Sequence, residues 1–332
     1  MRYCYVLSEG TDRVFAKCGL KKSLFDYLSE FKSLGLLVSY YTVYRREGFR
    51  DKFLKYVNAF GDRVILDSGA FQIYVKKKLS KIDERKYFED YVSFLKETDA
   101  DRRYWYVVFD VVGDDRKSFE RYKLMREMGC KNVIPVWHSA SRLEYLDYYY
   151  ENAPYLAFAL TLGVRRENSR CYNDWVMRLF SFLFDRYGEE FFLNRRIHLL
   201  GYFSKLFFEL LPADSCDSAL YLDCFRLVLV PWGDAVRRVY CSQRVGQISQ
   251  EVFDFLNSEE FEEIRMNDFG GMDREEMIER LKTRVDFRIV FSTCVLFRKV
   301  AKWSIPKEEK LERFKKRRIK VFDIGLRWEG GL

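Results

Sequence analysis

Proline is scarce in this 332-residue chain, with 5 in all, and histidine is scarcer, with 2. No Gly- or Ser-rich stretch accompanies the few prolines, so no segment reads as a flexible linker. None of the 8 cysteines forms a Cys-x-x-Cys pair and their spacing is irregular, which excludes a disulfide framework in a chain this long. Cys4 and Cys294 sit in apolar runs, where a thiol behaves as a small core residue, and the pattern suits a reducing, intracellular compartment. No apolar run approaches the roughly 18 residues of a membrane helix. The opening Met1-Arg2-Tyr3-Cys4 lacks the charged-then-apolar pattern of a signal peptide. Internal repeats and low-complexity segments are also missing.

What is present is apolar, aromatic and unevenly charged. Apolar residues make up 48% of the chain and aromatics 18%, enough for a sizeable core and for rings that stack on bases. The formal charge is +8, and the stretch from Arg298 to Lys320 holds eleven Lys/Arg against three Glu, so it alone carries the excess. Such a run is either a footprint for a phosphate backbone or a solvated face.

Short β-type runs alternate with longer helical patterns. The runs are Leu37–Val43, Arg63–Leu66, Trp105–Asp110, Asn132–Trp137, Leu156–Thr161, Ile197–Leu200, a stretch near Asp214–Cys216, and Leu227–Val230. They show little alternation, as do strands buried on both faces. Lys81–Thr98, Arg116–Met128, Ser141–Glu151 and Tyr172–Tyr187 read as the intervening helices; in the first, Phe88, Tyr91, Val92 and Leu95 form an i, i+3, i+4, i+7 stripe. Repeated strand–helix units predict a parallel sheet, and eight of them suggest an α/β fold of the TIM (β/α)8 barrel type. The last third reads as a mostly helical, basic C-terminal extension, with helices over Ile248–Ile264, Met272–Thr283 and Lys307–Lys320. The expected domains are a barrel over 1–235 and the extension over 236–332.

Five clusters fall at the C-terminal ends of expected strands: Asp67-Ser68-Gly69-Ala70-Phe71-Gln72, Phe109-Asp110, Thr161-Leu162-Gly163, His198-Leu199-Leu200-Gly201 and Asp214-Ser215-Cys216-Asp217-Ser218. In a parallel barrel these ends ring one mouth, where such enzymes keep their sites. Carboxylates converging there repel one another unless a ligand, a proton or a cation is shared.

The order and spacing of these clusters carry a resemblance. Asp67-Ser68-Gly69-Ala70-Phe71-Gln72 resembles the Asp-Ser-Gly-Gly-Phe-Gln signature of tRNA-guanine transglycosylases. Phe109-Asp110 is similar to their base-recognition strand, Ala159-Leu160-Thr161-Leu162-Gly163 to their Ala-Val-Gly-Gly turn, Leu199-Leu200-Gly201 to their Leu-Met-Gly segment, and Asp214-Ser215-Cys216-Asp217 to their nucleophile motif. The likeness spans residues 38 to 230. The Asp-Ser-x-Asp-Ser wording, and His138 where the tRNA enzymes carry a Gln-Gly segment, look closer to the DNA 7-deazaguanine transglycosylases of the DpdA type.

The resemblance implies a glycosyltransferase that exchanges guanine in a nucleic acid, DNA before tRNA, for a 7-deazaguanine such as preQ0, without a cofactor, in the cytoplasm of a bacterial, archaeal or phage-infected cell. It implies that Asp217 attacks the sugar C1′ and that Asp67 handles protons and ligates the base. Asp110 would accept from the N1–H and exocyclic amine of the base. Ser68 and Gly69 would line the base site. The backbone of Leu162 and Gly163 would meet the carbonyl side, and Phe71 and Leu200, beside Gly201, would sandwich the ring. His138 and Asp214 are further candidates, and Lys315, Lys316, Arg317 and Arg318 would contact the backbone phosphates. The family's Cys-x-Cys-x-x-Cys…His zinc motif has no counterpart, since Cys224, Cys241 and Cys294 do not match it and no His follows His198; no metal is expected.

Plainer roles compete at each position. Asp217 and Asp110 suit helix N-caps, Asp67-Ser68-Gly69, Gly163 and Gly201 suit turns, and Phe71 and His198 suit a core. Asp214 reads equally as a partner of the site and as a surface group. Three functions remain alternatives to DNA base exchange: exchange in tRNA, base removal by water, and a non-catalytic accessory subunit. Homodimerisation is open.

Overall fold

The computed structural model describes residues 2–7, 11–76, 82–98, 103–111, 113–138, 141–159, 169–218, 227–232, 235–240 and 249–318. The strands are β1 (Arg2–Val6), β2 (Leu34–Ser39), β3 (Val64–Asp67), β4 (Trp105–Val107), β5 (Val133–Ile134), β6 (Val136–His138), β7 (Tyr155–Ala159), β8 (Arg196–Leu200), β9 (Ser215–Ser218), β10 (Leu227–Trp232) and β11 (Ala235–Tyr240). Nine of them form one sheet in the order β5-β4-β3-β2-β1-β9-β8-β7-β6. The sheet curls into a nearly closed parallel barrel.

The barrel has nine strand segments where eight were expected, and Pro135 is the reason. β5 and β6 lie at opposite ends of the strand order yet are separated in sequence by Pro135 alone. Proline has no N–H to give a ladder, so the run Val133–His138 is interrupted there. The Pro135 carbonyl still accepts the Ala157 amide at 2.9 Å, and the Ile134 carbonyl accepts that of Val108 at 2.9 Å, so the neighbours on both sides stay tied to this run.

Two expected strands differ. Leu227–Val230 is not in the barrel: β10 pairs antiparallel with β11, from Leu227↔Tyr240 to Trp232↔Ala235. The barrel takes β1 instead, whose Arg2 amide donates to the Asp214 carbonyl at 2.7 Å while the Leu7 amide just beyond it donates to Leu37 at 2.9 Å. The expected strand Leu37–Val43 ends at Ser39, and Tyr40–Arg45 is helical.

The chain divides into two compact units, cut after Leu7, Leu34, Asp217 and Ser304 rather than once near residue 235. The barrel unit holds residues 1–7, 35–217 and 305–332. Its strands are almost wholly buried, and its helices turn aromatic stripes inward, as in Glu84–Thr98, which buries Tyr87, Phe88, Tyr91, Val92, Phe94 and Leu95. The helix Lys307–Arg317, expected within the extension, belongs to this unit. Leu311 and Phe314 are buried, and the Phe314 ring sits 6.2 to 6.3 Å from those of Phe180, Phe184 and Phe192. Lys307 donates to the Asp214 carboxylate at 2.6 Å and to the Arg195 carbonyl at 2.7 Å.

The second unit, residues 8–34 and 218–304, is built around the helix Val285–Trp303. That helix is buried nearly all round. Two of the charges it takes inside are ion-paired: Lys299 with Glu260 at 3.1 Å, and Arg298, which makes a bidentate bond to Asp268 at 2.6 and 3.0 Å and a further one to Glu263 at 2.6 Å. Among the described residues no helix is long and apolar enough to cross a membrane.

Candidate functional site

Asp67, Asp110 and Asp217 occupy corresponding ends of three barrel strands. Asp67 closes β3, Asp110 follows β4 and Asp217 lies in the last half of β9. Burial pushes the Asp67 carboxyl up to about 7, and the negative charges of Asp110 and then Asp217 push it the same way, against the opposing bond from the Gly69 amide. A carboxyl that feels both of the others is the mark of a shared centre.

The loop after β3 is held for a glycine. Gly69 has φ +78°, and a Cβ there would lie 2.6 Å from the Tyr87 hydroxyl and 2.8 Å from Tyr41 Cβ. Its amide donates to Asp67 Oδ2 at 3.1 Å. Ser68 is fully buried; its Oγ accepts from the Ala70 amide at 3.4 Å and its carbonyl from the Tyr87 hydroxyl at 2.9 Å. Ser68 thus braces the loop. Phe71 is 46% exposed, which removes the core reading and leaves its ring available for stacking.

Asp110 does not cap the next helix; Asp114 does, accepting from the Lys117 amide at 2.9 Å. The Asp110 carboxylate is largely buried, and its Oδ2 lies 3.0 Å from His138 Nε2 at the end of β6. The two candidates the sequence placed on neighbouring strands are therefore a hydrogen-bonded pair.

Asp217 is nearly buried at 8% exposure and sits within a strand. Its Oδ1 accepts the Gly201 amide at 2.8 Å and lies 3.1 Å from His198 Nε2. Gly201 has φ +61°, the left-handed turn that brings its amide round to the carboxylate. Leu200, the last residue of β8, is partly exposed beside it. Behind His198, Nδ1 lies 2.6 Å from Ser215 Oγ, which lies 2.5 Å from the Tyr155 hydroxyl. His198 and Ser215 face one another in the β8–β9 register.

His198 and Ser215 stood in the expected strand-end clusters without a role of their own, and Tyr155 was not among the candidates. A histidine in mid-strand reads as core, and only the pairing of β8 with β9 reveals what it faces.

Other expected site residues lie elsewhere. Asp214 precedes β9, at the opposite end of the strand from Ser218; its Oδ2 accepts the Ile197 amide at 2.8 Å and Lys307 Nζ at 2.6 Å. It anchors the helix Lys307–Arg317 rather than joining the three carboxylates. In the basic cluster, Lys315 pairs with Glu189 at 3.0 Å and with Glu312, and Arg318 pairs with Asp185 and lies 4.4 Å over the Phe184 ring. Lys316 and Arg317 are exposed. Half of that cluster is thus spent on the barrel unit's own acids. Leu162 and Gly163 lie outside the described residues.

Compared with known proteins, the chain matches no protein-family model, and no curated protein matches it either.

Proposed function

We propose that this chain is a base-exchange transglycosylase that replaces guanine in DNA with a 7-deazaguanine such as preQ0 through a covalent ester on Asp217. The observation that carries the reading is the Asp67–Asp110–Asp217 group at corresponding strand ends, with Asp67 held near a pKa of about 7. The fold is read here as the eight-stave (β/α)8 barrel, with Val133–His138 counted as one stave broken at Pro135.

The chemistry needs an ionised carboxylate to attack, a carboxyl able to give and take a proton near neutrality, and an acceptor for a guanine edge. An Asp217 oxygen bonds to C1′ as the C1′–N bond breaks, and the bonding pair leaves with guanine, which takes the Asp67 proton. The incoming base returns a proton to Asp67, its nitrogen bonds to C1′, and the Asp217 carboxylate is released. Asp110, with one oxygen already facing His138, accepts from the amine and N1–H of the base. The target nucleotide has to leave a duplex to reach these groups.

The test is incorporation of labelled guanine or preQ0 into duplex DNA, single-stranded DNA and unmodified tRNA, with Asp217→Ala alongside. Label entering DNA and lost in the variant is expected. Label in tRNA alone overturns the choice of polymer, and exchange by Asp217→Ala overturns the mechanism. No label in any polymer overturns the exchange reading.

A further inference from the structure

Three buried side chains form a hydrogen-bonded chain that ends on Oδ1 of Asp217: Tyr155, Ser215 and His198. Tyr155 is 1% exposed, Ser215 3% and His198 0%. The direction of the hydrogen bonds can be worked out, because a buried hydroxyl must place its proton on an acceptor. Burial holds the Tyr155 phenol well above its ordinary pKa, so it keeps its proton. Among the described residues the only hydrogen-bond partner of that hydroxyl is Ser215 Oγ, 2.5 Å away. Ser215 therefore accepts from Tyr155 and turns its own proton to His198 Nδ1 at 2.6 Å. With Nδ1 an acceptor, the ring proton sits on Nε2, which donates to Asp217 Oδ1 at 3.1 Å. Gly201 N–H donates to the same oxygen at 2.8 Å. Among the described residues Asp217 Oδ2 has no hydrogen-bond partner.

We propose that His198 is a positioning residue for Asp217: the Tyr155–Ser215–His198 ladder fixes the Nε2–H tautomer, and that N–H with the Gly201 amide pins Oδ1, leaving Oδ2 as the attacking oxygen. The inference rests on the reading of Asp217 as the nucleophile. A carboxylate with one oxygen doubly bound cannot rotate, and its free oxygen presents a defined lone pair to C1′. The bonds to Oδ1 also stabilise the anion until it attacks, from donors already in place before the reaction. His198 itself forms and breaks no bond.

The decisive experiment pairs two substitutions that differ in where they put an amide. In His198→Gln the side-chain NH2 reaches the place of Nε2, whereas in His198→Asn it reaches only that of Nδ1. Expected for Gln is a single-turnover rate of adduct formation within about tenfold of the parent. For Asn a loss of about a hundredfold or more is expected, with KM for the polymer within about twofold for both. A merely structural role would move the two variants together in melting temperature and rate, so equal losses in both overturn the proposal. Alongside, nitrogen-15 NMR of the imidazoles, assigned with His138→Gln, should show a pyrrole-like nitrogen at Nε2 and a pyridine-like one at Nδ1 for His198. A pyrrole-like Nδ1, or two pyrrole-like nitrogens, overturns the ladder. This second readout needs no substrate. If the parent protein exchanges no base, the functional reading falls, and the tautomer alone decides whether the ladder holds Oδ1.

Discussion

At the scale of single residues, Asp67 illustrates how position sets chemistry. An ordinary aspartate is ionised near neutrality, and this one is held near half-protonation by burial and two neighbouring anions. Asp67→Asn keeps the shape and removes the proton transfer, so exchange should fall by about 10² to 10⁴-fold, the usual worth of a general acid–base group. The rate of the first half-reaction in the parent should fall above pH about 7, as Asp67 loses its proton, and a flat profile from pH 6 to 9 would refute the assignment. Gly69→Ala should be costly for a different reason. It forces a Cβ to 2.6 Å from the Tyr87 hydroxyl at a left-handed φ, and a loss of about 2 to 4 kcal/mol in denaturant unfolding is expected. Much of this was readable beforehand, because Asp67, Asp110 and Asp217 each follow or end a β-type run, and Asp-Ser-Gly is turn chemistry. The partner of each carboxylate was not readable. His138 meets Asp110, and His198 meets Asp217, only where separate strands come side by side, which spacing along the chain does not encode.

At the scale of elements, the apolar runs located most barrel strands, misplaced one and missed another. Leu227–Val230 has the composition of a buried strand, but an apolar run does not declare whether its neighbour runs parallel or antiparallel, and here the partner is β11 in a hairpin. β1 reads Arg2-Tyr3-Cys4-Tyr5-Val6, an apolar run of the same kind that was not among the expected strands. The basic run from Arg298 to Lys320 looked like one surface. It is divided between two units, and most of its charges find carboxylates nearby. The helix Lys307–Arg317 is accordingly a fastening of the barrel unit. Lys307→Ala would leave the Asp214 carboxylate, among the described residues, with the Ile197 amide as its remaining donor and remove a donor from the Arg195 carbonyl, a loss of about 1 to 3 kcal/mol. Lys316→Ala with Arg317→Ala should leave the melting temperature unchanged, since both side chains are exposed. A stability loss in that double variant, with none in Lys307→Ala, would reverse the assignment.

At the scale of the whole molecule, two buried groups of opposite kind should shape its stability between pH 4 and 10. Asp67 is an acid whose folded pKa is raised from 3.8 to about 7. Between those values the folded chain holds a proton that the unfolded chain has lost, so stability falls as pH rises through the window and levels off above it. Lys310 is a base whose folded pKa is lowered from 10.5 to about 7. Burial is the cause, outweighing the Asp214 charge; Nζ donates to the Phe207 and Ala213 carbonyls at 3.2 and 2.9 Å and lies 4.7 Å over the Phe207 ring. From pH 7 to 10.5 the unfolded chain carries the proton and the folded chain does not, so stability rises with pH there. The two limbs meet near pH 7, where the contribution of this pair to stability has its minimum. The slope of each limb is at most that of one proton, about 1.4 kcal/mol per pH unit. Urea unfolding of the full chain from pH 5 to 9 measures it directly. Asp67→Asn should flatten the acidic limb and leave the basic one. Lys310→Met should do the converse, while losing some stability at every pH because two carbonyls lose the Nζ donor. A parent curve that peaks at pH 7, or a basic limb that survives Lys310→Met, would mean that at least one of these groups is more hydrated than its burial requires.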